Sequence, residues 1–289
     1  MRIHLCGVRG STPAPGIQFA EVGGNTSSVA IVHGDEDRPR LILDAGTGIR
    51  AVDALLGGHP FAGSILLGHL HWDHTHGLPF FRGADRCDAS TNLLVPDQGA
   101  PAIDLLRRFM SPPSFPIEPT DLQGSWTFAS IDEGLHTIEG FEVLARQIPH
   151  KGGRTFGYRI SDGQSSFAYL SDHGPAGALG PGPDGWGPYH QAALDLCTGV
   201  DLLIHDAQHT SEELAAQASY GHSAVDYPVA LAERCDVPRV LLFHHAPGRT
   251  DADVRAIEAA LATANGVEVR AAREGDVISI GASARTLRH

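Results

Sequence analysis

Three imidazoles and a carboxylate fall within six residues in the segment HLHWDH, which contains His69, His71, Asp73 and His74. The segment follows a short apolar run, residues 64–67, that is typical of a buried strand. Because alternate side chains of an extended chain share a face, His69 and His71 are expected to point the same way. Asp73 and His74 then lie at a turn and can reach a second ion. A nitrogen and oxygen ligand set without thiolate suits Zn²⁺, and Mn²⁺ and Fe are compatible alternatives.

Further residues of metal-binding types stand at or near the ends of other apolar segments. They are His150, Asp172, Asp206, His222, His244 and His245. Taken alone, each such residue is more often structural than a ligand, although imidazole is the commonest metal ligand. Their recurrence carries more weight, because open α/β sheets bind ligands at the carboxyl ends of their strands. We therefore expect several of them to meet the HLHWDH segment in space.

The elements that must position these residues are short strands followed by strand–helix units. Predicted strands cover residues 2–8, 27–33, 41–43, 64–67, 125–131, 141–148, 155–160, 166–170, 202–204 and 240–243. Predicted helices cover residues 47–56, 101–110, 224–235 and 251–264. Residues 174–188 contain ten Gly or Pro and are predicted to form a loop. This order favours a layered α/β architecture with sheets inside and helices outside.

The composition is that of an ordinary globular chain, with 42% hydrophobic and 19% charged residues in 289. A formal net charge of −13 disfavours a nucleic-acid or anionic-membrane surface as the main function. No apolar run approaches the roughly 18 residues of a membrane span, so no membrane association is predicted. The four Cys are scattered without a CxxC pair, and the N-terminus lacks a signal-peptide pattern. Both features predict reduced thiols and a cytoplasmic location.

The motifs resemble those of a known family. HLHWDH matches the HxHxDH signature of the metallo-β-lactamase fold. Later segments resemble the branch with ribonuclease Z and the small cyclic phosphodiesterases, namely PHKGG, YLSDH, LIHDAQ, YGHS and LLFHHAP, with GVRGSTPAPG and GGNTSS near the N-terminus. The resemblance spans residues 7–247. It implies an α/β fold of the metallo-β-lactamase type, an αβ/βα four-layer sandwich, as a single domain over residues 1–289 with two divalent metal ions at one edge.

The resemblance also implies how the ligands divide between the two ions. One ion would be held by His69, His71 and His150, the other by Asp73, His74 and a C-terminal His, and Asp172 would bridge them. His244 and His245 compete for the C-terminal position. The family pattern is a strand, then His, two residues and Pro, and HHAP puts His244 in that register. Asp206 is the competing bridge.

The implied pair of metal ions suggests catalytic roles, and closeness in sequence suggests substrate-binding residues. Two metal ions about 4 Å apart suit in-line displacement at phosphorus, because they turn a shared water into hydroxide near neutral pH. Asp73 would accept the proton of that water, and His222, oriented by Asp206, would protonate the leaving alkoxide. The family usually has Glu where Asp206 stands, which makes this pairing a departure from the pattern. Residues expected to contact substrate are Lys151, Arg154 and Asn25. A solvated turn is an equal alternative for Lys151 and Arg154, and a glycine-assisted turn is the slightly favoured alternative for Asn25.

The predicted function is hydrolysis of a small cyclic phosphodiester, either a cyclic nucleotide or a ribose cyclic phosphate. Alternatives are a ribonuclease Z-like tRNA 3′ endonuclease, a lactone or thioester hydrolase, and a non-catalytic metal-binding protein. Residues 160–233 contain no Lys or Arg, and a long polyanion needs several such charges, so tRNA is disfavoured as a partner. Family members are often dimers, which makes a homodimer one expected state.

Overall fold

The computed structural model describes residues 1–34, 36–262 and 266–281. Within these ranges the strands build two sheets of seven strands each. The strands are β1 (Arg2–Gly7), β2 (Ser28–Val32), β3 (Leu41–Leu43), β4 (Ala62–Leu66), β5 (Ser90–Pro96), β6 (Ser125–Ile131), β7 (Gly134–Ile138), β8 (Phe141–Ile148), β9 (Thr155–Ser161), β10 (Ser166–Leu170), β11 (Leu202–Asp206), β12 (Arg239–Phe243), β13 (Glu268–Ala271) and β14 (Val277–Ser279).

Each sheet is half antiparallel and half parallel. The first has the order β14-β1-β2-β3-β4-β5-β6, and the second has the order β13-β12-β11-β10-β9-β8-β7. In the first sheet, pairing is antiparallel from β14 to β3 and parallel from β3 to β6. In the second, it is parallel from β13 to β10 and antiparallel from β10 to β7. Parallel strands need crossover connections, and these carry most of the helices.

The helices cover the outer faces of the two sheets. They are α1 (Val52–Leu55), α2 (Ala102–Arg107), α3 (Pro175–Leu179), α4 (Gln191–Cys197), α5 (Ser211–Gln217), α6 (Asp226–Arg234) and α7 (Asp251–Leu261). One apolar core lies between the sheets and includes Leu43, Phe141 and Tyr169. A second core packs α4 and α6 on the second sheet, and a third packs α1 and α2 on the first. The predicted αβ/βα four-layer sandwich is therefore confirmed.

The elements differ from the sequence prediction mainly in length. The predicted helix over 47–56 begins as a 3-10 helix, Thr47–Ala51, before α1. α7 starts at a capping box in which Thr250 accepts from the Asp253 amide, and part of its predicted end, residues 263 and 264, lies outside the described residues. Strands β5, β7, β13 and β14 and helices α4 and α5 were not predicted, because most of them are short or carry weak apolar periodicity.

The segment 174–188, predicted as a loop, contains helix α3. Pro175 occupies the start of the helix, where a missing N–H costs nothing. Gly180 ends it with a φ of +86°, a left-handed conformation that glycine adopts without strain. The Gly and Pro content therefore marks both ends of a short helix in addition to the turns around it. None of the helices in the three described ranges is long and apolar enough to cross a membrane.

Candidate metal centre

Strands of both sheets deliver ligand-type side chains to one shared edge. After β4 the chain reaches His69 and then makes a 3-10 turn, Trp72–His74. The ends of four strands of the second sheet supply the remaining groups: His150 follows β8, Asp172 follows β10, Asp206 ends β11 and His244 follows β12. Strand ends therefore set the position of the cluster, as the sequence pattern indicated.

Among the described residues, four overlapping groups of side chains are close enough to hold metal ions, and two of them correspond to the expected ligands. The first is His69, His71 and His150, and the second is Asp73, His74, Asp172 and His244; in each, the potential ligand atoms all lie within 4.8 Å of one another. In the first group, His150 Nε2 is 3.3 Å from His71 Nδ1. In the second, His244 Nε2 is 3.1 Å from Asp73 Oδ2. These are the two ligand sets that the family resemblance implies.

Asp172 lies between the two groups. Its Oδ1 is 3.5 Å from His150 Nε2 and 3.8 Å from His69 Nε2. Its Oδ2 is 2.9 Å from His74 Nε2 and 3.4 Å from His244 Nε2. One carboxylate oxygen thus faces each group, which is the arrangement a bridging ligand requires.

The chemistry of the donors fits divalent cations. Both ring nitrogens of His69 are buried without a hydrogen-bond partner among the described residues, and such orphaned polar atoms are costly unless something binds them. Burial and the neighbouring His74 imidazolium hold the pKa of His69 well below its usual value. A neutral imidazole is the form that binds a metal ion. The residues of the cluster therefore fit a divalent metal site.

The buried carboxylates Asp44, Asp73 and Asp172 stabilise positive charge on the imidazoles beside them. Burial opposes the charge on His74, but Asp172, Asp44 and Asp73 raise its pKa well above the usual value. Burial likewise opposes the charge on His244, but Asp172 and the hydrogen bond with Asp73 raise its pKa to about 9. Protons on these two imidazoles balance the buried carboxylates, and divalent ions would take over that role.

Asp44 is a buried carboxylate in contact with His74 that the sequence analysis did not single out. Its Oδ2 lies 2.8 Å from His74 Nδ1 and accepts from Tyr169 Oη at 2.7 Å. Its Oδ1 accepts from the Gly68 amide at 2.7 Å. Carboxylates in this position fix the ring orientation and raise the basicity of a ligating imidazole. The sequence feature that could have identified Asp44 is its position directly after the buried strand β3.

The backbone conformation directs the side chains of the adjacent residues His244 and His245 to different places. His244 has a φ of +58°, a strained left-handed conformation for a residue with a Cβ. Its ring reaches the cluster, whereas His245 Nε2 donates to the Ala272 carbonyl at 3.0 Å. Gly10 packs on the His244 ring so closely that a Cβ there would come within 2.3 Å of it. The geometry favours His244 as the C-terminal ligand.

His244→Ala is expected to lower the metal content more than His245→Ala. Only the first substitution removes a nitrogen from the cluster, while the second removes a hydrogen bond on the opposite side of the strand end. Metal analysis of both variants after mild dialysis tests this, with unfolding curves as a check on folding. The reverse order of metal loss would reassign the ligand to His245.

His222 and Asp206 form a hydrogen-bonded pair beside the cluster. His222 Nδ1 donates to Asp206 Oδ2 at 2.8 Å and lies 3.8 Å from Asp172 Oδ1. The Asp206 carboxylate also accepts from the His173 and Gln208 amides, each at 3.0 Å. Burial would raise the pKa of Asp206, but His222 lowers it below the usual value. With these partners, Asp206 is placed to orient His222, although Asp206, His222 and His244 also lie close enough to hold an ion.

The residues predicted to contact substrate do not line the metal cavity. This cavity has a volume of about 450 Å³, and it is lined by Ser11, Leu70, His71, Trp72, Asp73, His150, Asp172, Gln208, Tyr220 and His222. Asn25 binds Glu274 through its backbone and side chain. Arg154 donates to Gln147 and to the Asp97 carbonyl, and Lys151 is exposed beside His150. Ser11, Trp72, Gln208 and Tyr220 are lining residues that the sequence analysis missed.

A chain of three histidines runs behind the metal cluster. His190 Nε2 is 2.7 Å from His173 Nε2, and His173 Nδ1 is 2.8 Å from His205 Nε2. His205 Nδ1 donates to the Asp206 carbonyl at 2.7 Å. Because a carbonyl only accepts, His205 Nε2 must accept from His173 Nδ1, and His173 Nε2 must accept from His190. When all three rings are neutral, the hydrogen bonds therefore all run in one direction, from His190 through His173 and His205 to the Asp206 carbonyl.

The free energy of unfolding is expected to fall as the pH drops from about 6.5 to about 4. Burial lowers the pKa of His205 to about 4, so the unfolded chain binds this proton first and is favoured by acid. The contribution is complete above the unfolded pKa of about 6.5 and amounts to on the order of 3 kcal/mol. Urea unfolding with a chelator present, at several pH values, should show a flatter dependence for His205→Gln. Identical pH dependence in the two proteins would contradict this role.

Comparisons with known proteins agree with this geometry. A family model described as a beta-lactamase superfamily domain matches residues 39–245. A ribonuclease Z of Lacticaseibacillus casei is 26% identical over 254 residues, which cover 76% of this chain and 79% of that protein. A ribonuclease Z of Geobacillus kaustophilus is 25% identical over 217 residues, covering 62% of this chain and 69% of that protein.

Solved structures share the fold at low sequence identity. The metallo-beta-lactamase fold protein YhfI from Bacillus subtilis has a TM-score of 0.70 and 16% identity, over 96% of this chain and 99% of that one. A diphosphatase from the PhnP family has a TM-score of 0.67 and 16% identity, over 96% and 97%. Human tRNase Z, short form, has a TM-score of 0.66 and 20% identity, over 98% and 100%. The family match spans well over half of the chain, which therefore belongs to the beta-lactamase superfamily and is a metal-dependent hydrolase with the metallo-β-lactamase fold.

Proposed function

We propose that the protein is a two-metal phosphodiesterase that hydrolyses a small cyclic phosphodiester, with Zn²⁺ as the metal and Mn²⁺ or Fe as alternatives. The observation that carries this proposal is the position of Asp172, whose two oxygens face separate ligand groups, next to the hydrogen-bonded pair of His222 and Asp206. When bound, two divalent ions supply an activated water and neutralise charge on the phosphate oxygens. The proposed ligands are His69, His71, Asp73, His74, His150, Asp172 and His244.

Asp73 is proposed to hold the attacking water and to take up its proton. It borders the metal cavity, and its Oδ2 accepts from the Ser11 amide at 2.6 Å. Burial would raise the pKa of Asp73, but His74 and the hydrogen bond from His244 hold it well below the usual range. The Ser11 amide holds the Asp73 carboxylate at the edge of the cavity, where it can both orient the water and accept its proton.

His222 is proposed to donate the proton that the leaving alkoxide needs. Its ring borders the cavity, and Nδ1 is occupied by Asp206, which leaves Nε2 as the donor. Asp206 is buried and held by two backbone amides, so it keeps the imidazole in one orientation. This is the arrangement of a general acid with a positioning carboxylate.

A tRNA 3′ endonuclease is the second candidate, and the curated relatives named ribonuclease Z favour it. The charge of the protein favours a small cyclic phosphodiester over tRNA. The cavity lining contains neither Lys nor Arg, residues 160–233 contain none, and the net charge is −13. A polyanion of tRNA size needs several cationic contacts to displace its counterions. One phosphate needs only the metal ions.

Metal-loaded protein tested against a panel of substrates distinguishes the candidates. About two transition-metal ions per chain are expected, because the ligands form two groups that share Asp172. Cyclic phosphodiesters and bis(p-nitrophenyl) phosphate should be hydrolysed, and precursor tRNA should not be processed efficiently near physiological salt. Efficient tRNA cleavage that falls steeply with added salt would support the endonuclease instead. Hydrolysis of thioesters or lactones alone would replace the phosphodiesterase assignment.

A further inference from the structure

We propose that Trp72 and Tyr220 form a base-binding site beside the metal cluster, and that the substrate is therefore a phosphodiester of a nucleoside. This inference rests on the proposed function and narrows it, because a ribose cyclic phosphate without a base would leave both aromatic rings unused. Both rings border the metal cavity. They are also among the large apolar side chains that remain exposed, at 65% for Trp72 and 58% for Tyr220.

The position of Trp72 follows from the turn that carries the metal ligands. It lies between His71 and Asp73 in the 3-10 helix Trp72–His74, whose Asp73 and His74 side chains are buried in the cluster. The Trp72 side chain is directed outward instead. One face of its ring stacks on His76, with centroids 5.4 Å apart and planes 20° from parallel. This contact fixes the orientation of the ring, and its exposure leaves the other face accessible.

Tyr220 is held in place by a different part of the chain. It ends the 3-10 helix Ala218–Tyr220, and the next residue, Gly221, turns the chain with a φ of +90°. The Gly221 carbonyl accepts from His150 Nδ1 at 2.6 Å. A direct backbone contact therefore ties the Tyr220 turn to a proposed metal ligand. Both aromatic rings are thus set by residues that also position the metal cluster.

The chemistry of the cavity favours a nucleobase as the occupant. With neither Lys nor Arg in the lining, binding energy beyond the metal ions must come from apolar and neutral polar groups, here Leu70, Ser11 and Gln208 with the two aromatic rings. A cavity of about 450 Å³ has the size of a small-ligand site. Aromatic side chains stack on any base, because every base presents a π-face. Other exposed apolar side chains, such as Phe80 and Leu179, do not line this cavity.

Two substrates that differ only in the base provide the test. Adenosine 2′,3′-cyclic phosphate carries the base, and 1-O-methylribose 2,3-cyclic phosphate replaces it with a methoxy group. The wild-type protein should prefer the adenosine compound by about tenfold or more in kcat/KM, as expected for stacking on one or two rings. Trp72→Ala and Tyr220→Ala should each remove most of that preference through KM. In both variants the loss on the base-free compound should be much smaller than the loss on the adenosine compound, with metal content measured alongside, and Trp72→Phe should retain the preference.

A binding measurement separates this inference from the proposed function. Adenosine monophosphate should bind the metal-loaded protein in calorimetry and should bind about tenfold more weakly to Tyr220→Ala. Phe80→Ala is the matched control, because Phe80 is 54% exposed but lies outside the metal cavity. Equal rates on the two cyclic compounds, or equal losses on both in the variants, would overturn the base site. If neither compound is hydrolysed, the proposed function fails, and the adenosine monophosphate arm still decides whether the base site exists.

Discussion

Replacement of Asp172 by Ala is expected to remove bound metal and activity together. Its two oxygens face His150 and His69 on one side and His74 and His244 on the other, so both ions would lose a ligand. Metal ions supply several kcal/mol of transition-state stabilisation, which corresponds to a loss of roughly 10³-fold or more. Metal analysis after dialysis, together with turnover of bis(p-nitrophenyl) phosphate, measures both effects.

Asp206→Ala is the matched control for Asp172→Ala. Asp206 is equally buried, but its oxygens bind His222 and two backbone amides. This variant should keep its metal and lose rate. Asp206→Asn retains the size of the side chain, so a loss of rate in this variant can be distinguished from a loss that comes only from unfolding. An exchange of the two outcomes, with metal lost from Asp206→Ala and kept in Asp172→Ala, would make Asp206 the bridge.

His222→Ala is expected to reduce turnover of a cyclic phosphodiester by on the order of 10²–10⁴-fold, the usual cost of losing a general acid. Its metal content should not change. A p-nitrophenolate leaving group needs little protonation, so the loss on bis(p-nitrophenyl) phosphate should be much smaller. The ratio of the two losses is the measurement that identifies proton donation. Equal losses on both substrates would assign His222 to metal or substrate positioning.

Much of the metal cluster could be predicted because its residue types sit in short local patterns. His69, His71, Asp73 and His74 lie within one strand end and turn, so backbone geometry alone brings them together. His150 and Asp172 could be predicted from a second rule, that the ends of apolar strands meet at one edge of a sheet. Their ligand roles remain predictions that metal analysis must test.

Contacts between distant segments could not be read from such patterns. Asp44 follows β3 and contacts His74, which follows the neighbouring strand β4, whereas Tyr169 belongs to β10 of the second sheet and meets Asp44 from across the core. The substrate residues illustrate the same limit, since Arg154 lies near His150 in sequence but its side chain turns to Asp97 and Gln147. Closeness along the chain does not determine the direction of an exposed side chain.

The sequence by itself determined a layered α/β architecture and the residue types of the metal cluster, because these depend on periodicity and on spacing within single elements, and the family followed from the resemblance of its motifs. The register of HHAP favoured His244 over His245, but only the tertiary structure supplied a physical reason, a left-handed backbone conformation at His244 that sends the adjacent side chains to different places. It also separated the environments of Asp172 and Asp206, which lie at the ends of neighbouring parallel strands but have different groups around their oxygens. Side-chain direction depends on packing between elements, which no local pattern contains.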